Sequence, residues 1–323
     1  MLRFERDQKV YDIGGVKVGG QPGEYPTVLI GTIFYEGQKI VKDKNKGIFD
    51  KVAAEELVKK QEELSDKTGN PHMLDVVISS TDAISKYLSF VAEVTDAPFL
   101  LDAWPSKVRI QALGYVDETG LSDRIVNNSI WFASGEDEIE ALKRSSVKSS
   151  VILAYNPKDL WARGPISMLK GTSEKKGLLE KAEESGIEKK IIDTGVLHIP
   201  HVGISSKAIY DVKREFGLPA GCSPANATTT WKGLKEFGPE AFKACDASTQ
   251  TLPIAFSSDF LLYGPIESAG WIFPSCAAID AMIATVTREL GTKTQTQKHP
   301  LYKLFPKFAD ALDKGEILRS LEK

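Results

Sequence analysis

The stretch Pro98-Phe-Leu-Leu-Asp102 is a short apolar run that stops on a carboxylate, and it has counterparts along the chain. Arg124-Ile-Val-Asn-Asn128, Lys190-Ile-Ile-Asp193 and Leu218-Pro-Ala-Gly-Cys-Ser-Pro-Ala-Asn226 also run from apolar residues to an acid or amide, and helix-like sequence follows most of them. Strands of a parallel sheet are buried on both faces and read as short apolar runs. In a barrel of such strands the C-terminal strand ends form the mouth. Asp and Asn side chains gathered there, with few Lys or Arg among them, make a neutral-to-acidic hydrogen-bonding pocket. Such a pocket suits a flat heterocycle rich in N–H donors better than a phosphate.

Outward from these runs, strand-like and helix-like segments alternate. Strands are expected at Thr27–Ile33, Met73–Ile78, Pro98–Leu101, Ile125–Asn127, Ser149–Ala154, Lys190–Ile192, Leu218–Gly221 and Leu252–Phe256. Helices are expected at Asp50–Lys67, Thr81–Val94, from Pro105, and at Glu136–Lys143, Glu174–Glu184, Ser205–Phe216, Thr228–Phe237, Pro239–Lys243 and Ser268–Leu290. Eight such units predict an α/β fold of the (β/α)8 TIM-barrel type over residues 1–290, with 291–323 as a C-terminal extension packed on the barrel. A dinucleotide-binding sheet needs GxGxxG after its first strand, and the Gly19-Gly-Gln-Pro-Gly23 turn instead precedes it.

Composition removes several function classes. The 323 residues, 42% of them hydrophobic, supply a large core, and 41 basic against 44 acidic residues give no footprint for nucleic acid. Cys222, Cys245 and Cys276 lie far apart with no CxxC pair, which argues against a disulfide framework or zinc ribbon. The charged start, Met1-Leu-Arg-Phe-Glu-Arg-Asp7, lacks the apolar run of a signal peptide, and no stretch reaches about 18 uninterrupted apolar residues. A cytoplasmic protein that does not span a membrane is the expectation.

The candidate pocket residues are Asp102, Asn128, Asp193 and Asn226, with Asp75 and Asn156 beside their strand ends as further candidates. An ionised carboxylate takes two adjacent N–H donors side by side, and an amide reads a mixed edge. Each residue also has a structural reading, as a helix cap or turn former. His198-Ile-Pro-His201 suggests a metal pair, but Pro200 is expected to prevent a helix that would set both rings on one face, and no further ligands are evident. No metal is therefore expected. Cys222 reads as packed core, and Lys158 and Arg163 as solvated charges.

Gly19-Gly-Gln-Pro-Gly-Glu-Tyr-Pro26, Gly31-Thr-Ile-Phe-Tyr35, Gly47-Ile-Phe-Asp-Lys51, Leu100-Leu-Asp102, Asn128-Ser129 and Tyr263-Gly-Pro-Ile-Glu267 together resemble the MtrH subunit of tetrahydromethanopterin S-methyltransferase, over roughly residues 1–290. That resemblance implies a pterin-binding TIM barrel, commonly dimeric, of the superfamily that includes dihydropteroate synthase. It implies a methyltransferase moving a methyl group between a methyl-corrinoid (methylcobalamin on a corrinoid partner protein) and N5 of the pterin. Bacterial relatives serve as the tetrahydrofolate methyltransferase of corrinoid demethylation systems of the glycine betaine type.

Carried over by residue, Asp102 and Asn128 resemble the family's strand-end residues beside the pterin, Asp193 its grip on the 2-amino and N3–H edge, and Asn226 its contact to N5. Asn226 and Asp102 are thus the expected catalytic residues. After Asp102 the chain continues Ala-Trp-Pro, and after Asn128-Ser129 it continues Ile-Trp-Phe; both depart from the archaeal pattern. The departures favour tetrahydrofolate as the pterin, with tetrahydromethanopterin, or a dihydropteroate synthase-like reaction, as the alternative.

Overall fold

A computed structural model describes residues 2–315, with Lys235 by its backbone alone. Its twelve strands are β1 (Val10–Ile13), β2 (Val16–Gly19), β3 (Val28–Ile33), β4 (Val41–Asp43), β5 (Ile48–Phe49), β6 (His72–Ile78), β7 (Phe99–Ala103), β8 (Ile125–Ile130), β9 (Ser149–Leu153), β10 (Lys189–Asp193), β11 (Ala220–Cys222) and β12 (Phe260–Pro265). Eight of them close a parallel barrel in the order β10-β11-β12-β3-β6-β7-β8-β9, so each strand lies beside its sequence neighbours in the ring. The remaining strands form two antiparallel hairpins, β1–β2 and β4–β5.

Local chemistry sets the helices between strands. Asp50 caps the helix Lys51–Thr68 by accepting a hydrogen bond from the Ala53 amide at 3.2 Å, and Gly69 ends it in the left-handed region at φ 89°. Period-2 alternation then sorts each strand's side chains. On β7, Phe99, Leu101 and Ala103 point out under the helices, whereas Leu100 and Asp102 point in. The same alternation brings Met73 and Asp75 inward on β6, Val126 and Asn128 on β8, and Ile191 and Asp193 on β10. The barrel interior is therefore layered. An apolar layer lies below, and on β3, β6, β7, β8 and β10 a polar one lies two residues further along, with Leu153 and Leu262 completing it from β9 and β12.

The floor of the lower layer is the β1–β2 hairpin. Its Ile13 and Val18 pack against Val28, Ile30, Met73, Leu100, Val126, Val151, Ile191 and Phe260, closing the N-terminal end of the barrel. Gly14 and Gly15, both at positive φ, make its two-residue turn.

The eighth barrel strand is not Leu252–Phe256. That segment ends the helix Pro239–Ala255, and the strand is β12, Phe260–Pro265. The helix expected over Thr228–Phe237 is two pieces, Ala225–Thr230 and a 3-10 segment Lys232–Phe237. The helix expected from Ser205 begins at Ile199, with Pro200 in its first turn, where the missing N–H costs nothing. Pro200 therefore opens that helix instead of preventing it.

The helix Ala269–Glu289, with the turn before it, has the length and apolar composition of a membrane span among the described residues. Its inner face packs through Ile272, Phe273, Cys276 and Ala277 into the barrel's outer core. Beyond it, the helices Pro300–Leu304 and Pro306–Asp313 place Leu301 and Ala309 against Ala281 and Ala284.

Candidate functional site

The polar upper layer lines a cavity of about 520 Å³ at the C-terminal ends of the barrel strands, within the size range of small-molecule sites. Thr32 from β3, Asp75 from β6, Asp102 from β7, Asn128 from β8 and Asp193 from β10 all reach it, as do Ser223 and Asn226 from the segment after β11. Trp104 and Trp131, which follow Asp102 and Asn128 in sequence, stand at its edge with ring centroids 6.3 Å apart.

Two of the carboxylates are held from behind. Asp75, 4% exposed, accepts hydrogen bonds from the Thr32 hydroxyl at 3.0 Å and from Asn128 Nδ2 at 3.1 Å, one on each oxygen. The register pairs Thr32 with Asp75 across β3 and β6, so the first bond follows directly from strand alignment. Asp193, also 4% exposed, accepts from the Gly195 amide at 2.7 Å and from Ser223 Oγ at 3.1 Å. Asp102 accepts no hydrogen bond from the described residues and presents its carboxylate to the cavity.

Burial raises all three acids above the ordinary carboxylate range. For Asp75 the loss of solvation is reinforced by the charge of Asp102 and opposed by the bonds from Asn128 and Thr32. For Asp102 burial is opposed by the Arg109 guanidinium. Asp193 is pushed up to about 6 by burial, against the pull of Gly195 N–H and Ser223. Arg109 is itself 4% exposed, and its Nη1 donates to Glu138 at 2.9 Å in a buried ion pair. Its guanidinium also reaches the carbonyls of Asn128 and Ser129 at 3.4 Å, tying the helix Ser106–Thr119 to the end of β8.

Asn226 lies second in the short helix Ala225–Thr230, exposed on the cavity rim. Pro224, not Asn226, occupies the cap position; the Asn226 backbone N–H donates to the Ser223 carbonyl at 3.3 Å, and its side-chain amide makes no hydrogen bond among the described residues. Thr228 fixes this helix from below by donating to the buried Asp246, which also accepts from Trp271 Nε1.

Asn156 falls outside the cavity. Its Oδ1 accepts from the amides of Lys158 and Asp159, and its Nδ2 donates to Ser167, so its polar atoms are spent on the loop after β9. Arg163 pairs with Asp159 at 2.7 Å. Cys222 is fully buried, and burial raises its thiol far from the thiolate. The rings of His198 and His201 stand 6.1 Å apart, and His201 Nε2 already contacts the Leu160 carbonyl. No cluster of three His, Cys, Asp or Glu suited to a metal occurs among the described residues.

Thr32, Arg109 and Ser223 were not picked out from sequence. Thr32 had a signal, being two residues beyond the inward Ile30 on a strand of known phase. Arg109 had none, since its partner Glu138 sits on the next helix and only folding joins them.

Residues 6–295 match the family described as tetrahydromethanopterin S-methyltransferase MtrH subunit. The chain belongs to the MtrH family. That span takes in every barrel strand and every side chain of the cavity. Among MtrH relatives, the H subunit of tetrahydromethanopterin S-methyltransferase from Methanothermobacter thermautotrophicus is 43% identical over 311 residues, covering 94% of this chain and 100% of that protein. The H subunit of a putative mtx methyltransferase from Methanosarcina mazei is 43% identical over 308 residues, with 93% and 99% covered.

Among solved structures, a Yersinia pestis dihydropteroate synthase superposes with a TM-score of 0.58 at 10% identity, covering 85% of this chain and 99% of that one. The Xanthomonas albilineans enzyme gives 0.53 at 15% identity, with 88% and 99% covered. Those likenesses show the shared barrel.

Proposed function

We propose that this chain is a pterin:corrinoid methyltransferase, binding a reduced pterin in the barrel mouth and exchanging a methyl group at its N5. The observation that carries the reading is the convergence of Asp102, Asn128 and Asp193 from three separate strands on one cavity. Acceptors in that arrangement complement the ring N–H and amino donors of a reduced pterin. Membership of the MtrH family supports the same reaction. The relatives' names move the preferred pterin from tetrahydrofolate, expected from sequence, to tetrahydromethanopterin.

In the direction toward the pterin, the methyl-corrinoid supplies an electrophilic methyl group. N5, as an unprotonated secondary amine, uses its lone pair to form the new N–C bond while the methyl–cobalt bond pair stays with cobalt as Co(I). The methylated nitrogen then releases its proton. In this scheme Asp193 and Asn128 orient the ring, Asn226 hydrogen-bonds N5 as its charge changes, and Asp102 faces the ring as the open carboxylate. A dihydropteroate synthase-like reaction would need cations for a diphosphate leaving group. Arg109 is the one basic residue of the cavity lining among the described residues, and Glu138 already neutralises it.

Calorimetric titration with tetrahydromethanopterin and tetrahydrofolate in parallel, followed by single-turnover transfer from methylcobalamin, tests the proposal. Tighter binding of tetrahydromethanopterin with methyl transfer to it is the expected result. No binding of either pterin would overturn the reading.

A further inference from the structure

On the side of the cavity built by the strand ends, four donors are turned onto the cavity's own carboxylates. Thr32 Oγ1 and Asn128 Nδ2 are directed at Asp75, and Gly195 N–H and Ser223 Oγ at Asp193. Each of these groups would otherwise be available to a ligand. With them committed, and with the Asn226 side chain standing at the rim, the strand-end side presents the free carboxylate of Asp102, the remaining lone pairs of Asp193, and whichever atom of the Asn128 amide is turned inward.

Asp75 decides that last point. An amide can face a ligand with either its oxygen or its nitrogen, and nothing in Asn128 itself prefers one. Because a carboxylate oxygen of Asp75 accepts from Asn128 Nδ2, the carbonyl oxygen Oδ1 is the atom left for the cavity. Asp75 cannot turn away easily, since its second oxygen is held by Thr32 and its side chain is 4% exposed.

Building on the pterin reading above, we propose that Asp75 is a positioning residue. By fixing the Asn128 amide with its oxygen inward, it makes the Asp102–Asn128–Asp193 side of the cavity a set of acceptors and selects reduced pterins over the oxidised ring. A tetrahydropterin carries hydrogens on both N5 and N8. The oxidised ring has bare lone pairs there, and a lone pair facing an acceptor is repulsive where a donor would be bound. Discrimination by buried groups left unpaired is the strong kind of specificity.

The test uses two tail-less probes under anaerobic conditions, 6-methyltetrahydropterin and oxidised 6-methylpterin, with the full chain. Wild type should bind the tetrahydro probe at least ten-fold more tightly. In Asp75→Asn the new amide accepts from Thr32 through its oxygen and donates to Asn128 Oδ1 through its nitrogen. Asn128 is thereby turned over to present Nδ2. The preference should fall by ten-fold or more, chiefly through improved binding of the oxidised probe.

Thr32→Val, which frees the carboxylate without replacing it, should erode the preference in the same direction and serves if Asp75→Asn fails to fold. A preference unchanged in the folded variants, or absent in wild type, overturns the inference alone. Failure of wild type to bind either probe overturns the pterin reading beneath it.

Discussion

Replacing Asp193 by Asn separates what this residue does for the fold from what it does for a ligand. In the empty protein the carboxylate is a liability. Its pKa is pushed from 3.8 to about 6 by burial. A tenfold change in proton affinity is worth about 1.4 kcal/mol, so holding the group ionised at pH 7 costs the folded state roughly 3 kcal/mol. The sign follows from the raised value. The contribution of Asp193 to stability is greatest where it is protonated in both states, and it declines as pH rises from about 4 through about 6.

Asn removes that loss and keeps the local bonds. Its oxygen accepts from Gly195 N–H, and its amide nitrogen donates to Ser223, whose hydroxyl turns to accept. Asp193→Asn should therefore be more stable than wild type by up to about 3 kcal/mol at pH 7, a rise of roughly 4 °C in Tm for a chain of this size. The advantage should fade by about pH 4. Pterin affinity should move the other way, weakening by about 1.5–3 kcal/mol for a lost charge-assisted bond. Urea unfolding at pH 7 and pH 4, with calorimetric pterin titration on the same preparation, reads both quantities. A variant no more stable at pH 7 than at pH 4 relative to wild type refutes the buried-charge argument. Undiminished affinity removes Asp193 from the site.

Asn226→Ala should slow single-turnover methyl transfer about 10- to 1000-fold while pterin affinity changes much less, the signature of an interaction made as charge changes at N5; equal loss in both would make Asn226 a binding residue. Pterin affinity in wild type should fall as pH drops below about 6, where Asp193 takes up a proton and its acceptor capacity shrinks; a flat profile from pH 5 to 8 would contradict this. Chelator-treated protein should retain transfer from methylcobalamin, and activity restored only by zinc would promote His198 and His201. Gly31→Ala should destabilise the barrel by about 1–3 kcal/mol, because the added methyl would meet the buried Gln61 and Tyr263 side chains, and equilibrium unfolding measures it.

The barrel was legible because parallel strands must be apolar on both faces, and seven of the eight announce themselves that way. The eighth was misplaced since Leu252-Pro-Ile-Ala-Phe256 and Phe260-Leu-Leu-Tyr-Gly-Pro265 are both short apolar runs after helical sequence. What divides them is the turn at Ser257, whose positive φ no serine signals in advance. The β1–β2 hairpin went unread although Gly14-Gly15 between two Val/Ile runs is a two-residue hairpin signal.

For the site, strand-end position located Asp102, Asn128, Asp193 and Asn226 around one cavity. Asn156 was placed there by the same rule, but strand-end position does not fix direction, and its side chain turns back to brace its own loop. The donors that orient Asp75 and Asp193 come from distant strands and loops, and no local pattern joins them.

The hairpin that seals the N-terminal end of the barrel also governs traffic. Ile13 and Val18 fill that end, so in the proposed reaction the pterin and the methyl carrier would both use the mouth at the C-terminal strand ends. A macrocycle borne on a protein would not fit a cavity of this size beside a pterin and would sit across its entrance. Whatever lies inside is then trapped until the carrier leaves. Under the proposed function, the plug at the opposite end of the barrel would set the order of events: small molecule in first, carrier down second, carrier away before product out.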